Sequence, residues 1–202
     1  MKRVERVVKS RKNIGLNAND ILVAEFEYIS QTVFQTNKYE ERIGGFFNLV
    51  ITVATASAGF LLNNQTFDKT LLFPFLSILS IILTIVGTIA IAELARLRAA
   101  WHESVLALTQ IQNYYIKDNP DLEAAFRWRS SNIPPADQPF SIANLLALEI
   151  TLVGAITSAS AVYFLLIPFG DIMLWGWALI IISFIIGIIL QWRWYKHLLV
   201  DN

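Results

Sequence analysis

The chain has no cysteine, only two histidines, and just 16% charged residues among its 202 positions. The absence of cysteine excludes disulfide scaffolds, iron–sulfur clusters and thiolate zinc sites. Such a low charge content also excludes a disordered chain, which needs many charges and few apolar residues. Sixteen basic residues balance sixteen acidic ones. The sequence therefore indicates no bulk attraction to nucleic acid, and no nucleic-acid partner is expected.

Apolar residues are abundant instead, at 55% of the chain, and the mean hydropathy is +0.50. A membrane-spanning helix needs about 20 predominantly apolar residues. The sequence contains four such segments, and they predict an all-α integral membrane protein built from two transmembrane hairpins. The four apolar segments are 44–62, 71–92, 145–167 and 172–191.

The distribution of lysine and arginine predicts the orientation of these segments. Of the sixteen basic residues, only Lys69 lies in a loop between the first and second segments or between the third and fourth. Under the positive-inside rule, both termini are then cytoplasmic, and we expect a bacterial inner-membrane protein. More than forty residues precede the first segment, so we expect it to be retained rather than cleaved as a signal peptide. Trp175 and Trp194, near the two ends of the fourth segment, suit anchoring at the two interfaces.

The regions outside the apolar segments indicate four parts of the chain. We predict a basic tail over 1–18, the first hairpin with helical extensions over 19–117, a short helix and proline-rich linker over 118–140, and the second hairpin over 141–202. The extensions are predicted because apolar residues recur at helical spacing on both sides of the first hairpin. These stripes are Leu22, Phe26, Ile29 and Val33, and then Leu94, Leu97, Trp101, Val105, Leu108, Ile111 and Tyr115. The extensions are expected to pack antiparallel against each other.

Two polar residues inside the apolar segments are candidate functional residues. Glu149 is the only charged residue within the four segments, and an ionisable side chain in a spanning helix is a functional-site hypothesis by default. It either faces a pore or cavity, or lies at the headgroup level or pairs with Arg96 or Arg193. Asn48 poses the same question in the first segment, where it serves either as a pore residue or as a hydrogen-bonding contact between helices.

Small residues four apart in the first and third segments permit close helix approach in lipid. We therefore expect these two segments to face protein, and the isoleucine-rich second and fourth segments to carry more of the lipid-facing surface. The small-residue positions are Ala54, Thr55, Ala58, Gly59, Gly154, Ala155, Ser158 and Ala159.

A basic cluster near the N-terminus is a candidate for contact with anionic lipid headgroups, at about 1 kcal/mol per nearby charge. It could instead contact a phosphorylated ligand, or serve only to fix the topology. The cluster consists of Lys2, Arg3, Arg6, Lys9, Arg11 and Lys12.

Catalytic signatures are missing from the sequence. His102 and Glu103 are adjacent on a predicted helix, but they form no His-Glu-x-x-His motif, and phosphate-binding glycine loops and nucleophile elbows are absent. The sequence therefore predicts neither an enzyme nor a metal or cofactor site.

The layout of the first 117 residues resembles the bacterial SMODS- and SLOG-associating two-transmembrane effectors and the related RipA-like group. The resemblance rests on residues 24–29, Asn37 and Arg42 before the first segment, and on Leu94 through Tyr115 after the second. It implies an oligomeric membrane pore or effector of a conflict system.

These observations favour an oligomeric channel or pore-type effector gated by its cytoplasmic helices. The alternatives are a non-conducting structural subunit that docks a partner and, third, a small transporter. The expected partners are membrane lipids, further copies of the chain, and a cytoplasmic protein or ligand that contacts the helical extensions.

Overall fold

A computed structural model describes residues 18–64, 68–118, 120–121 and 133–200. Within these ranges the chain forms four long α helices and no strand. All four helices are long and apolar enough to cross a membrane. The predicted all-α fold with four candidate spans is therefore confirmed. The elements are α1 (Ala18–Asn63), α2 (Lys69–Asp118), α3 (Ile142–Leu166), a 3-10 turn (Ile167–Phe169) and α4 (Leu174–Val200).

The first two helices are much longer than their apolar segments, at 46 and 50 residues. Helix α1 continues through Gly44 and Gly45 without a break, and α2 continues to Asp118. The predicted continuation of both helices beyond the apolar segments is thus confirmed. The fourth helix begins at Leu174, two residues later than the predicted segment, because the chain first turns at Gly170 with a φ of 112° that suits glycine.

Local capping explains where two of the helices begin. The Asp68 carboxylate accepts a hydrogen bond from the Thr70 N–H at 2.9 Å, and the Ser141 hydroxyl accepts one from the Asn144 N–H at 3.2 Å. Such side chains satisfy N–H groups that the first helical turn leaves unpaired. Pro74 lies inside α2, so the Thr70 carbonyl lacks its usual helical N–H partner there.

The chain divides into two compact units. The first contains the start of α1, up to Val33, and the part of α2 from Ser104 onwards. Its buried side chains include Ile29 of α1 and Val105, Thr109 and Ile111 of α2. The predicted stripe positions Leu22 and Leu108 are half-buried here, whereas Phe26 is exposed.

The second unit, 34–103 and 134–202, is a four-helix bundle. Contacts between α2 and α3 join Ser77 to the Ala161 carbonyl at 2.8 Å and Thr84 to Thr157 at 2.9 Å, so these helices are antiparallel. Contacts between α3 and α4 join Ser158 to Ser183 at 2.9 Å and Ala155 to Gly187, so they are antiparallel as well. Helix α1 runs parallel to α3.

The core of this unit lies at the end of the bundle where α1 enters its apolar segment. Phe47 of α1 packs there among residues of the other three helices, and a Cβ at Gly87 would lie 3.4 Å from its ring. The other core residues with full or nearly full burial are Ile91, Leu94, Ala95, Ala143, Ala147, Ile150 and Tyr195.

Burial of the four apolar segments differs from the sequence expectation. The most apolar stretch of α1 is only 6% buried within the chain, and that of α2 is 33% buried, whereas those of α3 and α4 are 28% and 11% buried. Helix α2 is central because its small and hydroxyl side chains, at Ser77, Ser80, Thr84 and Gly87, face the neighbouring helices. Most of its isoleucines, which suggested a lipid-facing helix, are exposed on its other face, whereas Ile91 lies in the core.

We expect Gly187→Val to destabilise the bundle by about 1–3 kcal/mol relative to Gly59→Val. A Cβ at Gly187 would lie 3.1 Å from the Ala155 Cα, a backbone atom that cannot move aside, whereas nothing lies within 4 Å of one at Gly59. Both changes introduce the same β-branched side chain into a helix, so the intrinsic propensity cost cancels. Thermal unfolding of the monomer in detergent, where no second copy can contact Gly59, measures the difference by circular dichroism, and equal midpoints for the two variants would contradict this packing.

Candidate functional site

Both polar candidates of the apolar segments are exposed at the surface of the bundle. Asn48 on α1 and Glu149 on α3 face away from the core. Within the described residues, Glu149 forms no ion pair with Arg96 or Arg193, so the pairing that the sequence left open does not occur there. Its carboxylate therefore lies on the outer surface of an apolar helix.

Asn48 and Glu149 lie at the same level of two neighbouring helices. A Cβ at Gly44 would lie 2.6 Å from the Leu146 side chain, which shows that α1 and α3 touch there. Asn48 follows Gly44 by four residues, and Glu149 follows Leu146 by three. Because the helices are parallel and rise 1.5 Å per residue, both side chains stand about 5 Å beyond this contact.

The two side chains also lie on the same side of the α1–α3 contact. Phe47 on α1 and Ile150 on α3 belong to the buried core and mark the side that faces α2. Asn48 and Glu149 are exposed and lie on the opposite side of the contact, as their helical positions require. The structure thus brings the two candidates to one outer face of the bundle.

The exposed surface of α1 separates into two stripes of different chemistry. One consists of small or polar residues at spacings of three and four, which we name the α1 polar stripe: Gly45, Asn48, Thr52, Thr55 and Gly59. The other consists of Ser57 and four large apolar residues, each of the four more than half exposed: Phe46, Leu49, Val53 and Phe60. The polar stripe adjoins α3, whereas Phe46 contacts the groove between α1 and α2. Such a division is typical of a helix with lipid on one side and protein or water on the other.

The predicted small-residue positions fall into two groups. On α3, Gly154 and Ala155 are buried, and Ser158 and Ala159 are half-buried. On α1, Ala54 and Ala58 are half-buried, whereas Thr55 and Gly59 are exposed as part of the α1 polar stripe. The third segment therefore uses its small residues inside the chain, and the first segment leaves half of its own uncovered.

Hydroxyl and amide side chains link the helices inside the bundle. Thr84 of α2 meets Thr157 of α3, and Ser158 of α3 meets Ser183 of α4. Gln191 of α4 lies 3.5 Å from the Thr88 hydroxyl of α2. The analysis of the sequence did not single out Gln191, although it ends the fourth apolar segment and is the only amide in it.

A buried ionic cluster lies just beyond the apolar segments. Glu40 of α1 is 4% exposed and Arg98 of α2 is 6% exposed, while Tyr195 of α4 has no exposed surface. The Arg98 Nε donates to the Ala136 carbonyl at 3.0 Å, and its guanidinium lies 4.0 Å from the centre of the Trp101 ring. Arg98 thus links α2 to the segment before α3, and Glu40 of α1 and Tyr195 of α4 act on it electrostatically; we name these three residues the Glu40–Arg98 cluster. Sequence reasoning missed it because its members are far apart along the chain.

Burial governs the protonation of this cluster. Desolvation raises the pKa of Glu40, and attraction to Arg98 opposes that rise. Desolvation also lowers the pKa of Arg98, although Glu40 and Tyr195 counteract it. Burial raises the pKa of Tyr195 to about 12, so its phenol stays neutral at physiological pH. The Glu40 Oε1 and the Tyr195 hydroxyl oxygen have no hydrogen-bond partner among the described residues.

The remaining candidate residues from the sequence belong neither to the face of Asn48 and Glu149 nor to the Glu40–Arg98 cluster. His102 is half-buried and Glu103 is exposed on α2. In the part of the chain that the structure describes, no three histidine or carboxylate side chains converge on a metal position. The basic tail candidates Lys2, Arg3, Arg6, Lys9, Arg11 and Lys12 lie outside the described residues, as does most of the predicted short helix after position 118.

Comparison with known proteins gives no match: no family model, no curated protein and no solved structure is similar to this chain.

Removal of the Arg98 charge is expected to destabilise the bundle by about 1–3 kcal/mol. Arg98→Met removes the donor to the Ala136 carbonyl and leaves the buried Glu40 carboxylate without its counter-charge. The double variant with Glu40→Gln should recover part of the loss, because a neutral amide needs no counter-charge. Thermal unfolding of the four proteins completes a double-mutant cycle, and strictly additive effects would show that the two side chains are not coupled.

The raised pKa of Glu40 makes the stability of the protein depend on pH. The pKa of Glu40 is about its ordinary value of 4.5 in the unfolded chain and higher in the folded protein. As the pH rises above 4.5, Glu40 therefore loses its proton first in the unfolded chain, and the folded state loses stability until the pH has passed the folded pKa. Glu40→Gln removes this loss, and its stability relative to wild type should increase as the pH rises from 4 to 8. Glu103→Gln, at an exposed position, is the matched control. Parallel pH profiles of unfolding for wild type and Glu40→Gln would contradict the assignment.

Proposed function

We propose that the chain is an integral membrane protein that crosses a bacterial inner membrane four times, with both termini in the cytoplasm, and that its copies assemble around a pore. Four helices of sufficient length and apolarity support the membrane assignment. The concentration of lysine and arginine on one side of these helices supports the orientation.

The observation that carries the pore proposal is the shared level of Asn48 and Glu149 on one outer face. A carboxylate within an apolar helix costs a few kcal/mol when it faces hydrocarbon. The free energy of this face is therefore lower when Asn48 and Glu149 contact water or other protein than when they contact lipid. If several copies turn it toward a common axis, a ring of carboxylates and amides lines a channel that favours cations.

The α1 polar stripe supports assembly of several copies. Its glycine and threonine residues leave room for another helix to approach closely, and its hydroxyl and amide groups can hydrogen-bond across such a contact. The large apolar side chains of the neighbouring stripe, such as Phe46 and Val53, then face lipid. The low burial of this segment within one chain is what a helix at a subunit interface requires.

In this proposal, the extensions of α1 and α2 control the pore. Helix α1 continues from the extension into the apolar segment without interruption, so a movement of the extension is transmitted along it. The Glu40–Arg98 cluster gathers buried polar groups of α1, α2 and α4 at the end of the bundle that this proposal places inside. The resemblance to two-transmembrane effectors supports the same class, a pore opened in response to a cytoplasmic signal.

A non-conducting docking subunit is the second candidate. It is favoured by aromatic side chains exposed on α1 ahead of the apolar segment, where Tyr28 is 67% and Phe34 is 71% exposed. Residues of this kind are enriched where proteins bind each other.

Ion flux through liposomes that contain the purified full chain tests the proposal, with the oligomeric mass measured in the same preparation. Cation flux from a defined oligomer is the expected result. A monomer would contradict the pore and favour the docking subunit. An intact oligomer that shows no ion flux even after limited proteolysis has removed the cytoplasmic extensions would have the same meaning.

Glu149→Gln is expected to reduce the preference for cations over anions by severalfold, because it removes the only carboxylate of the four apolar segments. Glu103→Gln makes the same chemical change outside these segments and should leave selectivity unchanged. Reversal potentials in asymmetric salt measure both variants. Unchanged selectivity in Glu149→Gln would remove Glu149 from the pore.

A further inference from the structure

A second feature of the bundle is a cavity of about 690 Å³ that opens along the side of α4. Helices α2 and α3 form its floor, and one face of α4 from Leu179 to Trp194 forms its wall. That face extends about 22 Å along the helix, at 1.5 Å per residue. We name this cavity the α4 trough. Its volume is within the range of small-molecule sites, and its shape is elongated.

The inner end of the trough carries a buried amide whose orientation the surrounding bonds determine. The Thr88 hydroxyl donates to the Thr84 carbonyl at 2.9 Å, so it can only accept from a further neighbour. The atom of Gln191 that faces it at 3.5 Å must therefore be the amide nitrogen, Nε2. This leaves Oε1 as the acceptor, and no group among the described residues donates to it.

Gly154 makes room for this amide. A Cβ at Gly154 would lie 2.9 Å from the Gln191 Cδ, so any larger residue would displace the side chain. Gln191 is only 5% exposed. An unpaired acceptor at this depth costs about 1–3 kcal/mol. The last torsion of glutamine is soft, so the amide can turn Oε1 from Gly154 toward the trough at the expense of the long 3.5 Å contact between Nε2 and Thr88.

The lining of the trough specifies the chemistry of an occupant. The lining side chains that carry polar groups are hydroxyl residues such as Ser158, the Gln191 amide and the Trp194 indole, and no charged side chain among the described residues lines the trough. A charged ligand would find no counter-ion there, whereas a neutral ligand with one hydrogen-bond donor satisfies Oε1. The remaining wall is aliphatic along the length of α4, which suits a hydrocarbon chain.

We propose that the α4 trough binds a neutral, single-chain lipid alcohol, with its hydroxyl donating to Gln191 Oε1 and its chain extending toward Leu179. This site is distinct from the proposed pore, since it lies on α4 and uses neither Asn48 nor Glu149. The bound alcohol supplies the hydrogen-bond donor that the buried Oε1 of Gln191 lacks among the described residues.

A matched pair of brominated probes tests the proposal on the full chain in detergent: 2-bromododecan-1-ol and its methyl ether. The two molecules share a chain and a bromine, but only the alcohol has a hydrogen-bond donor. Bromine quenches tryptophan fluorescence on contact, and Trp194 lies at the same end of the trough as Gln191. Quenching measured in the variant Trp194→Phe comes from the other five tryptophans, and it is subtracted from the wild-type signal to give the quenching of Trp194.

We expect saturable quenching of Trp194, with an apparent Kd about fivefold lower for the alcohol than for the ether, as one net hydrogen bond predicts. In Gln191→Leu the apolar trough remains, so the ether should bind as before and the ratio should fall to about one. A purely structural role for Gln191 would weaken both probes equally.

Three results would overturn the proposal. They are equal affinity of the two probes for the wild-type chain, an unchanged ratio in Gln191→Leu, and the absence of saturable quenching by either probe. The last result would mean that another copy of the chain covers the trough. Retention of the thermal unfolding midpoint in Gln191→Leu confirms that the comparison is made on folded protein.

Discussion

Close approach of helices at small residues is the constraint on which the bundle depends. In lipid, burial of apolar side chains between helices supplies little driving force, because the surrounding chains are equally apolar. Packing contacts and interhelical hydrogen bonds must hold the helices together, and both need short distances. Gly187 against Ala155 brings α4 to α3, and this approach lets the hydroxyls of Ser158 and Ser183 meet at 2.9 Å. The Gln191 amide likewise packs directly over Gly154, where the absence of a side chain leaves room for it.

The interior therefore changes character along its length. Single hydroxyl pairs link the helices through the apolar region, whereas Glu40, Arg98 and Tyr195 lie at one end of the bundle, beyond the apolar segments. Buried charges are expensive even when they attract each other. Their position beyond the apolar segments reduces this cost, since the Arg98 guanidinium can reach a backbone carbonyl of the segment before α3 and stack on Trp101.

Apolar length and periodicity were sufficient to predict four helices and the continuation of α1 and α2 beyond the apolar segments, because both depend on local sequence. Which side of a helix is covered depends on partners far along the chain, and here prediction was weaker. Composition suggested that the isoleucine-rich α2 faces lipid, yet Ser77, Thr84 and Gly87 place it in the centre. The Glu40–Arg98 cluster and the unpaired Gln191 acceptor are likewise products of tertiary contact, which single residues in a sequence do not reveal.

Helix α1 contacts the rest of the bundle mainly along one short stretch. Its outer apolar part touches little of the chain, whereas the stretch that ends at Phe47 contains the buried Glu40, the contact of Gly44 with Leu146 and the ring of Phe47 in the core. The hydroxyl links that the structure describes between α2, α3 and α4 include no residue of α1. Asn48 and the rest of the α1 polar stripe lie immediately beyond the fixed stretch, so their position relative to Glu149 depends on the tilt of α1. In the proposed pore, a gate that acts through α1 would therefore leave these links intact.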